Sequence, residues 1–262
     1  MIQDRLSTLN GFFARLGSSR TSRLLLDYDG TLAPFVVRRM EAFPYPGVRE
    51  RLVAIERSSR SGVVLISGRQ ASEVRALLRP LEGLEIWGAH GIEHLSRTGE
   101  IEQVTLPSED TAALAQARDQ LEAVGMSAML EEKPGGVALH WRGCDQSVVE
   151  GMRELVERLW KPLVTGTSLR LLAFEGGLEL RVTRPDKGDA VRAVRAALEP
   201  TAMAAYLGDD STDEDAFRAM AGWGLCALVR DYPRETKADV WITPPDQLIE
   251  FLDRWVEAVG GN

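Results

Sequence analysis

Apolar positions fall into two rhythms along the first third of the chain. Short unbroken runs, Leu24-Leu25-Leu26 and Val63-Val64-Leu65-Ile66, read as strands buried on both faces. Residues 48–57 carry apolar side chains at helical spacing behind Pro46 and Gly47, and 71–78 repeat that spacing. A third short run at 84–87 ends in Gly88-Ala89-His90-Gly91. Strand and helix alternating in this way predict a parallel sheet wrapped by helices.

The rhythm changes near Pro107. A helix with an acidic start is predicted over 108–124, then strands over 127–131 and 137–141 around Pro134-Gly135-Gly136. A helix at 146–160 and strands at 169–174 and 178–182 repeat the helix–strand–strand unit, which predicts a separate α+β domain over 106–182. After Arg184-Pro185 the alternation resumes, with helices at 188–198, 213–220 and 247–259 and strands at 204–207, 225–229 and 240–242. The expected fold class is α/β: a doubly wound, Rossmann-like parallel-sheet core over 1–105 and 183–262, interrupted by the inserted α+β domain.

Composition narrows the partners. With 262 residues, 44% hydrophobic and 27% charged, the chain can bury a sizeable core. A formal charge of -8 speaks against nucleic acid or an anionic membrane as partner. The two cysteines, Cys144 and Cys226, lie far apart without metal-type spacing, so no disulfide framework is expected. Residues 1–17 lack the basic start and continuous apolar stretch of a secretory leader, and no window approaches the roughly 20 apolar residues of a membrane span. A cytoplasmic monomer acting on a small molecule is the expectation.

The chemistry concentrates where predicted strands end, which is where open parallel sheets bind ligands. Asp27 and Asp29 follow the first strand one position apart and would share a face in extended backbone. Like charges that close repel unless a cation or proton intervenes. Gly30 and Thr31 add a turn and a hydroxyl suited to an anion, although Asp-Gly is also an ordinary turn dipeptide. Ser67-Gly68-Arg69 follows the second strand, either as an anion seat at a helix start or as a plain cap. Lys187 precedes the helix at 188, at the unfavourable end of its dipole unless an anion lies nearby. Five of the seven residues from Asp209 to Asp215 are acidic. Ser211 and Glu214 could form a capping box, but capping does not explain Asp209 at the strand end. Three converging carboxylates call for a hard divalent cation with oxygen ligands, Mg²⁺ above all.

In order and spacing these pieces resemble the four signature motifs of the haloacid dehalogenase-like phosphatases: Asp27-x-Asp29-Gly30-Thr31, Ser67, Lys187 and Asp209-x-x-x-Asp213. A narrower resemblance, to trehalose-6-phosphate phosphatases, rests on Asp27 to Pro34, Ile66 to Arg69, Gly88 to Glu93 and Leu207 to Phe217. The inserted domain stands where that family has its cap. In it Glu131-x-Lys133, the segment Val137 to Arg142, and Glu179 are similar to sugar-reading positions. The chain departs from the family pattern at Ala89, at Lys133-Pro134-Gly135-Gly136 and over 229–245.

The resemblance implies that Asp27 attacks phosphorus to give an aspartyl-phosphate and that Asp29 protonates the leaving sugar oxygen, then activates water. It implies Mg²⁺ on Asp27, the backbone carbonyl of Asp29, and Asp209, with Asp213 in support. Lys187, Ser67, Gly68 and the backbone around Tyr28, Gly30 and Thr31 would hold the phosphoryl oxygens. The cap would close over the core and read sugar hydroxyls through Glu131, Lys133 and Glu179, while Arg69 and His90 line the cleft. Another glycosyl phosphate as substrate, a phosphomutase, and a non-catalytic sugar-phosphate sensor are the alternatives; the complete motif set disfavours the last.

Overall fold

The computed structural model describes residues 2–174 and 176–260. In chain order the elements are α1 (Ile2–Ser18), β1 (Ser22–Leu26), α2 (Val48–Arg57), β2 (Ser61–Ile66), α3 (Ala71–Leu77), β3 (Glu85–Gly88), β4 (Glu93–Leu95) and β5 (Ile101–Gln103). There follow α4 (Ser108–Ala123), β6 (Leu130–Lys133), β7 (Gly136–His140), α5 (Gln146–Trp160), β8 (Leu169–Phe174) and β9 (Gly177–Val182). The chain closes with α6 (Lys187–Ala196), β10 (Met203–Gly208), α7 (Asp213–Met220), β11 (Leu225–Val229), β12 (Val240–Ile242) and α8 (Asp246–Gly260). They form two compact units, Met1–Glu102 with Asp186–Asn262, and Gln103–Pro185.

The first unit is built on an eight-stranded sheet of order β12-β11-β10-β1-β2-β3-β4-β5. The pairs from β12 through β3 are all parallel, and β4 returns antiparallel to β3. Alternation along each strand sends side chains to opposite faces, so both faces must be covered. Leu24 and Leu26 join one apolar cluster with Val63, Leu65 and residues of α1, α2, α3 and α8. Leu25, Val64, Ile66 and Tyr206 join the other with residues of α6 and α7. The central strands end side by side: Leu26 pairs with both Leu207 and Leu65, so the loops after β1, β2 and β10 leave the sheet at one level.

Three features differ from the sequence expectation. Helix α1 is unforeseen; its Leu9, Phe12, Phe13 and Leu16 are buried, with Phe13 against Phe251 at 5.1 Å between ring centroids. The β4–β5 strands are three residues each, too short to stand out as a run. Residues 127–129 form a 3-10 turn, and strand β6 begins only at Leu130.

The second unit is a four-stranded antiparallel sheet of order β6-β7-β9-β8, with α4 against β7 and β9. Val137 pairs with Leu180 and Leu139 with Leu178, which places these buried residues on one face. Glu131 pairs with Ala138, Ala138 with Glu179, and Gly136 with both Lys133 and Arg181, which places the charged residues on the other. Asp110 is fully buried in the first turn of α4 and accepts from Ser168 N at 2.8 Å and Ser168 Oγ at 2.5 Å, tying the helix start to the approach to β8. The cysteines Cys144 and Cys226 are free thiols, and no described helix is long and apolar enough to cross a membrane.

In the first unit Trp255 is fully buried, and its Nε1 donates to Ser61 Oγ at 2.9 Å. Trp255→Ala is expected to lower unfolding free energy by about 3–5 kcal/mol, read from the midpoint of denaturant unfolding at unchanged slope.

Candidate active site

At the carboxyl end of β1 the chain stays in register for one more residue, with Asp27 N donating to Leu207 O at 2.9 Å. The Asp27 carboxylate is buried and accepts from Lys187 Nζ at 2.7 Å through Oδ1. The same ammonium donates to Asp213 Oδ1 at 2.7 Å. Lys187 is the first residue of α6, one position earlier than expected, because Asp186 and Asp189 form a reciprocal capping box that begins the helix there. Asp209, at the end of β10, completes the group: ligand atoms of Asp27, Asp209 and Asp213 lie within 4.8 Å of one another.

The electrostatics follow from burial. Asp27, Asp209, Asp213 and Lys187 are each no more than 4% exposed. Burial pushes the Asp27 carboxyl up to about 7, against the pull of Lys187 and with the repulsion of Asp213 and Asp29 added. Burial, then Asp27 and Asp213, hold Asp209 well above the usual carboxylate range. Burial works against the Lys187 ammonium, yet Asp213 and Asp27 together keep its pKa above the ordinary lysine value.

Three carboxylates against one ammonium leave a formal surplus of two negative charges, the charge a divalent cation would neutralise. No described residue donates a hydrogen bond to the Asp209 carboxylate, and an all-oxygen donor set suits a hard ion such as Mg²⁺. Asp213 is differently placed. Its Oδ1 accepts from Lys187 and from Tyr206 Oη at 2.6 Å, and its Oδ2 from the Asp209 and Asp210 amides at 3.1 and 2.9 Å. Those bonds make it the residue that orders the cluster.

Asp29 does not share its partner with Asp27. Arg69 takes the Asp29 carboxylate in a two-point grip, Nε to Oδ2 at 2.6 Å and Nη2 to Oδ1 at 2.7 Å. The two acids that adjoin in sequence are therefore divided between two cations. The Asp29 carboxylate lies outside the cation cluster, so only its main-chain carbonyl is left for the expected metal role. At Gly30, the next residue, φ is +78°, and a Cβ there would overlap the Asp209 carboxylate and sit 2.8 Å from the Phe35 ring.

Other expected residues divide into those at the site and those that support it. Tyr28 is core: its ring is fully buried and its Oη donates to Ala42 O at 2.7 Å, leaving only backbone for a ligand. The Thr31 hydroxyl is buried without a hydrogen-bond partner among the described residues. Ser67 Oγ accepts from Arg69 N at 3.2 Å, and Glu93 Oε2 takes Ala71 N at 2.8 Å. Two of the amides around the start of α3, those of Arg69 and Ala71, are thus bonded within the protein. His90, at φ +59°, donates its amide to Ser67 O at 2.9 Å and lays its imidazole against Gly68, where a Cβ would come within 2.7 Å of Cε1. It braces the 67–69 loop. The Ser211–Glu214 capping box is absent, because Glu214 instead binds Arg234 and accepts from Lys237 N at 2.9 Å.

In the second unit Lys133 Nζ pairs with Glu179 Oε1 at 2.7 Å, and Arg181 Nε lies 3.8 Å from Glu179 Oε2. Glu131 binds His140 Nε2 through Oε2. With Gly136 and Ala138 between them, these residues form one polar sheet face.

Sequence reasoning missed Tyr206, Asp186, Arg230 and Arg234. Asp186-x-x-Asp189 was a readable capping pattern. The others act over long separations: Arg230 Nη1 reaches Asp209 O at 3.2 Å and Arg234 Nη2 reaches Asp210 O at 2.6 Å.

A doubly wound core interrupted by an α+β unit is also the fold of a phosphatase of the haloalkanoate (HAD) enzyme superfamily from Bacteroides thetaiotaomicron, matched with a TM-score of 0.58 at 17% identity over 91% of this chain and 96% of that one. Residues 25–227 match the trehalose-phosphatase family, and the chain belongs to that family of phosphoric monoester hydrolases. Trehalose-phosphate phosphatase B of Arabidopsis thaliana is 29% identical over 273 residues, 96% of this chain and 71% of that protein. An uncharacterized glycosyl hydrolase of Mycobacterium tuberculosis is 32% identical over 255 residues, 92% of this chain but 18% of that protein. The C-terminal domain of C. albicans trehalose-6-phosphate phosphatase shares the fold, with a TM-score of 0.79 at 19% identity, covering 95% of this chain and 96% of that one.

Gly30→Ala tests the close approach of the first and last carboxylate loops. Phosphate release is expected to fall about 100-fold, as a displaced reacting group requires, while thermal unfolding shifts by only a few degrees.

Proposed function

We propose that the chain hydrolyses trehalose 6-phosphate to trehalose and inorganic phosphate, with Asp27 as nucleophile. The observation that carries the chemistry is the buried cluster of Asp27, Lys187, Asp209 and Asp213. Asp27 Oδ attacks phosphorus, the bond from phosphorus to the sugar oxygen breaks, and Asp29 gives that oxygen a proton. Asp29 then takes a proton from water, which attacks the aspartyl-phosphate, releases phosphate and regenerates the Asp27 carboxylate. Lys187 and the Ser67 hydroxyl hold phosphoryl oxygens, and Arg69 fixes the direction of Asp29.

Mg²⁺ fits the oxygen donors of Asp27, the Asp29 carbonyl and Asp209, with Asp213 ordering them. When bound, it supplies positive charge against the phosphoryl oxygens. The polar face of Glu131, Lys133, His140 and Glu179 supports the sugar assignment, since paired acids and bases there present both donors and acceptors. The family's phosphatase activity and relatives such as trehalose-phosphate phosphatase B point to the same sugar phosphate.

A phosphate-release panel over sugar phosphates, with Mg²⁺ and with chelator, tests this reading. Trehalose 6-phosphate is expected to lead the panel, chelator to abolish release, and Asp27→Asn to be silent. Equal turnover of many small phosphates would overturn the sugar, and an active Asp27→Asn would overturn the mechanism. Separately, Glu131→Ala combined with Glu179→Ala is expected to lower kcat/KM for trehalose 6-phosphate about 10-fold or more, the worth of one or two lost hydrogen bonds. Turnover of p-nitrophenyl phosphate, which has no sugar to read, should hold.

A further inference from the structure

The segment after β11 departs from the family pattern, yet two of its arginines reach back to the loop that carries Asp209. Within that loop the backbone is tied from both sides. The amides of Asp209 and Asp210 donate to Asp213 Oδ2 at 3.1 and 2.9 Å. The carbonyl of Asp209 accepts from Arg230 Nη1 at 3.2 Å, with Arg234 Nε at 3.4 Å. The carbonyl of Asp210 accepts from Arg234 Nη2 at 2.6 Å and from the Asp213 amide at 3.0 Å. Arg234 is itself held by Glu214 through Nη1, so one guanidinium joins the Asp209–Asp210 peptide to the first turn of α7.

We propose that Arg234 is a positioning residue for the divalent cation: it fixes the peptide from which the Asp209 carboxylate projects. The inference rests on the reading that Asp209 is a metal ligand. The reason for the device lies in the loop itself. Gly208 precedes Asp209, and a Cβ there would overlap the Asp213 side chain, so the turn cannot be stiffened by a bulkier residue. Asp209 meets Gly30 on one side and the carboxylates of Asp27 and Asp213 on the other. A ligand in that position swings away unless its backbone is held. Asp213 can hold only the amides, because a carboxylate accepts and does not donate. The carbonyls need donors, and Arg230 and Arg234 are the side chains that provide them. A planar guanidinium, with five donors in a fixed fork, serves both carbonyls, Glu214 and the Glu235 carbonyl at once, one acceptor more than the three donors of an ammonium can serve.

The test uses the full chain and Mn²⁺ as a paramagnetic probe, titrated by electron paramagnetic resonance in the absence of substrate. Arg234→Ala is expected to bind Mn²⁺ about 10-fold or more weakly than the unaltered protein, the usual cost of losing a residue that orients a ligand. Arg234→Lys is expected to fall between the two, and millimolar methylguanidinium to restore part of the affinity of Arg234→Ala. Thermal unfolding in chelator should change little across the set. Should Arg234→Ala not fold, the Mn²⁺ affinity of Arg234→Lys decides. Unchanged affinity in the variants would overturn the inference alone, leaving the metal reading in place. Weak binding that tracks a lowered Tm in chelator, without guanidinium rescue, would also overturn it in favour of a general stabilising role. No Mn²⁺ binding by the unaltered protein would overturn the metal reading and this inference together.

Discussion

Everything at the strand ends is arranged around one buried ammonium. Lys187 Nζ stands 2.7 Å from Asp27 and 2.7 Å from Asp213, and it is 3% exposed. Removing such a group from water costs several kcal/mol, and only well-placed counter-charges offset that. Its position at the first turn of α6 adds a second penalty, since the positive end of the helix dipole repels it. Two carboxylates outweigh both effects, and the local geometry is accordingly strict. The capping box of Asp186 and Asp189 sets where α6 begins, and hence where the ammonium points.

The same bridge explains why glycines stand at fixed places around it. Asp213 must come in close enough to reach Lys187, Tyr206 and two amides, and the chain at Gly208 leaves that space. Asp209 must reach the cluster past the β1 loop, and Gly30 leaves that space. Because helices cover the central strands on both faces, polar groups approach them where strands end and loops cross. The polar cluster is therefore confined to one level, set by the pairing of Leu26 with Leu207 and Leu65.

Much of this was legible in the chain, and what was not has a physical reason. Unbroken apolar runs identified β1, β2, β10 and β11, since a strand buried on both faces has no polar positions to interrupt it. Helix α1 carried a full apolar stripe at Leu9, Phe12, Phe13 and Leu16, so its omission was a failure to read a signal that was there. The partner of Asp29 was different in kind. Asp29 and Arg69 are 40 positions apart, and no local spacing announces that one guanidinium will claim the second aspartate of the pair. Glu214 shows the limit in reverse. Its place three residues after Ser211 fits a capping box, but Arg234, twenty positions on, offers a charged partner that a serine amide cannot match.

Under the proposed function, the two sheets would also divide the labour, one carrying the reaction and the other the reading of the sugar. In the parallel sheet the central strands are packed by helices on both faces, so a change in the chemistry would have to pass through the packing of both apolar clusters. In the antiparallel sheet the large apolar residues share one face, where Val137, Leu139, Leu178 and Leu180 bear the fold. Glu131, Lys133, Glu179 and Arg181 lie on the other side, where Lys133 and Arg181 meet Glu179 and Glu131 meets His140. Exchanging these charges alters what the face can hydrogen-bond without removing an apolar contact, at the cost of re-pairing whichever ion is left behind. Under the proposed function, the identity of the sugar would therefore be written on the charged face of the smaller sheet, where Lys133 and Arg181 form ion pairs with the buried Glu179.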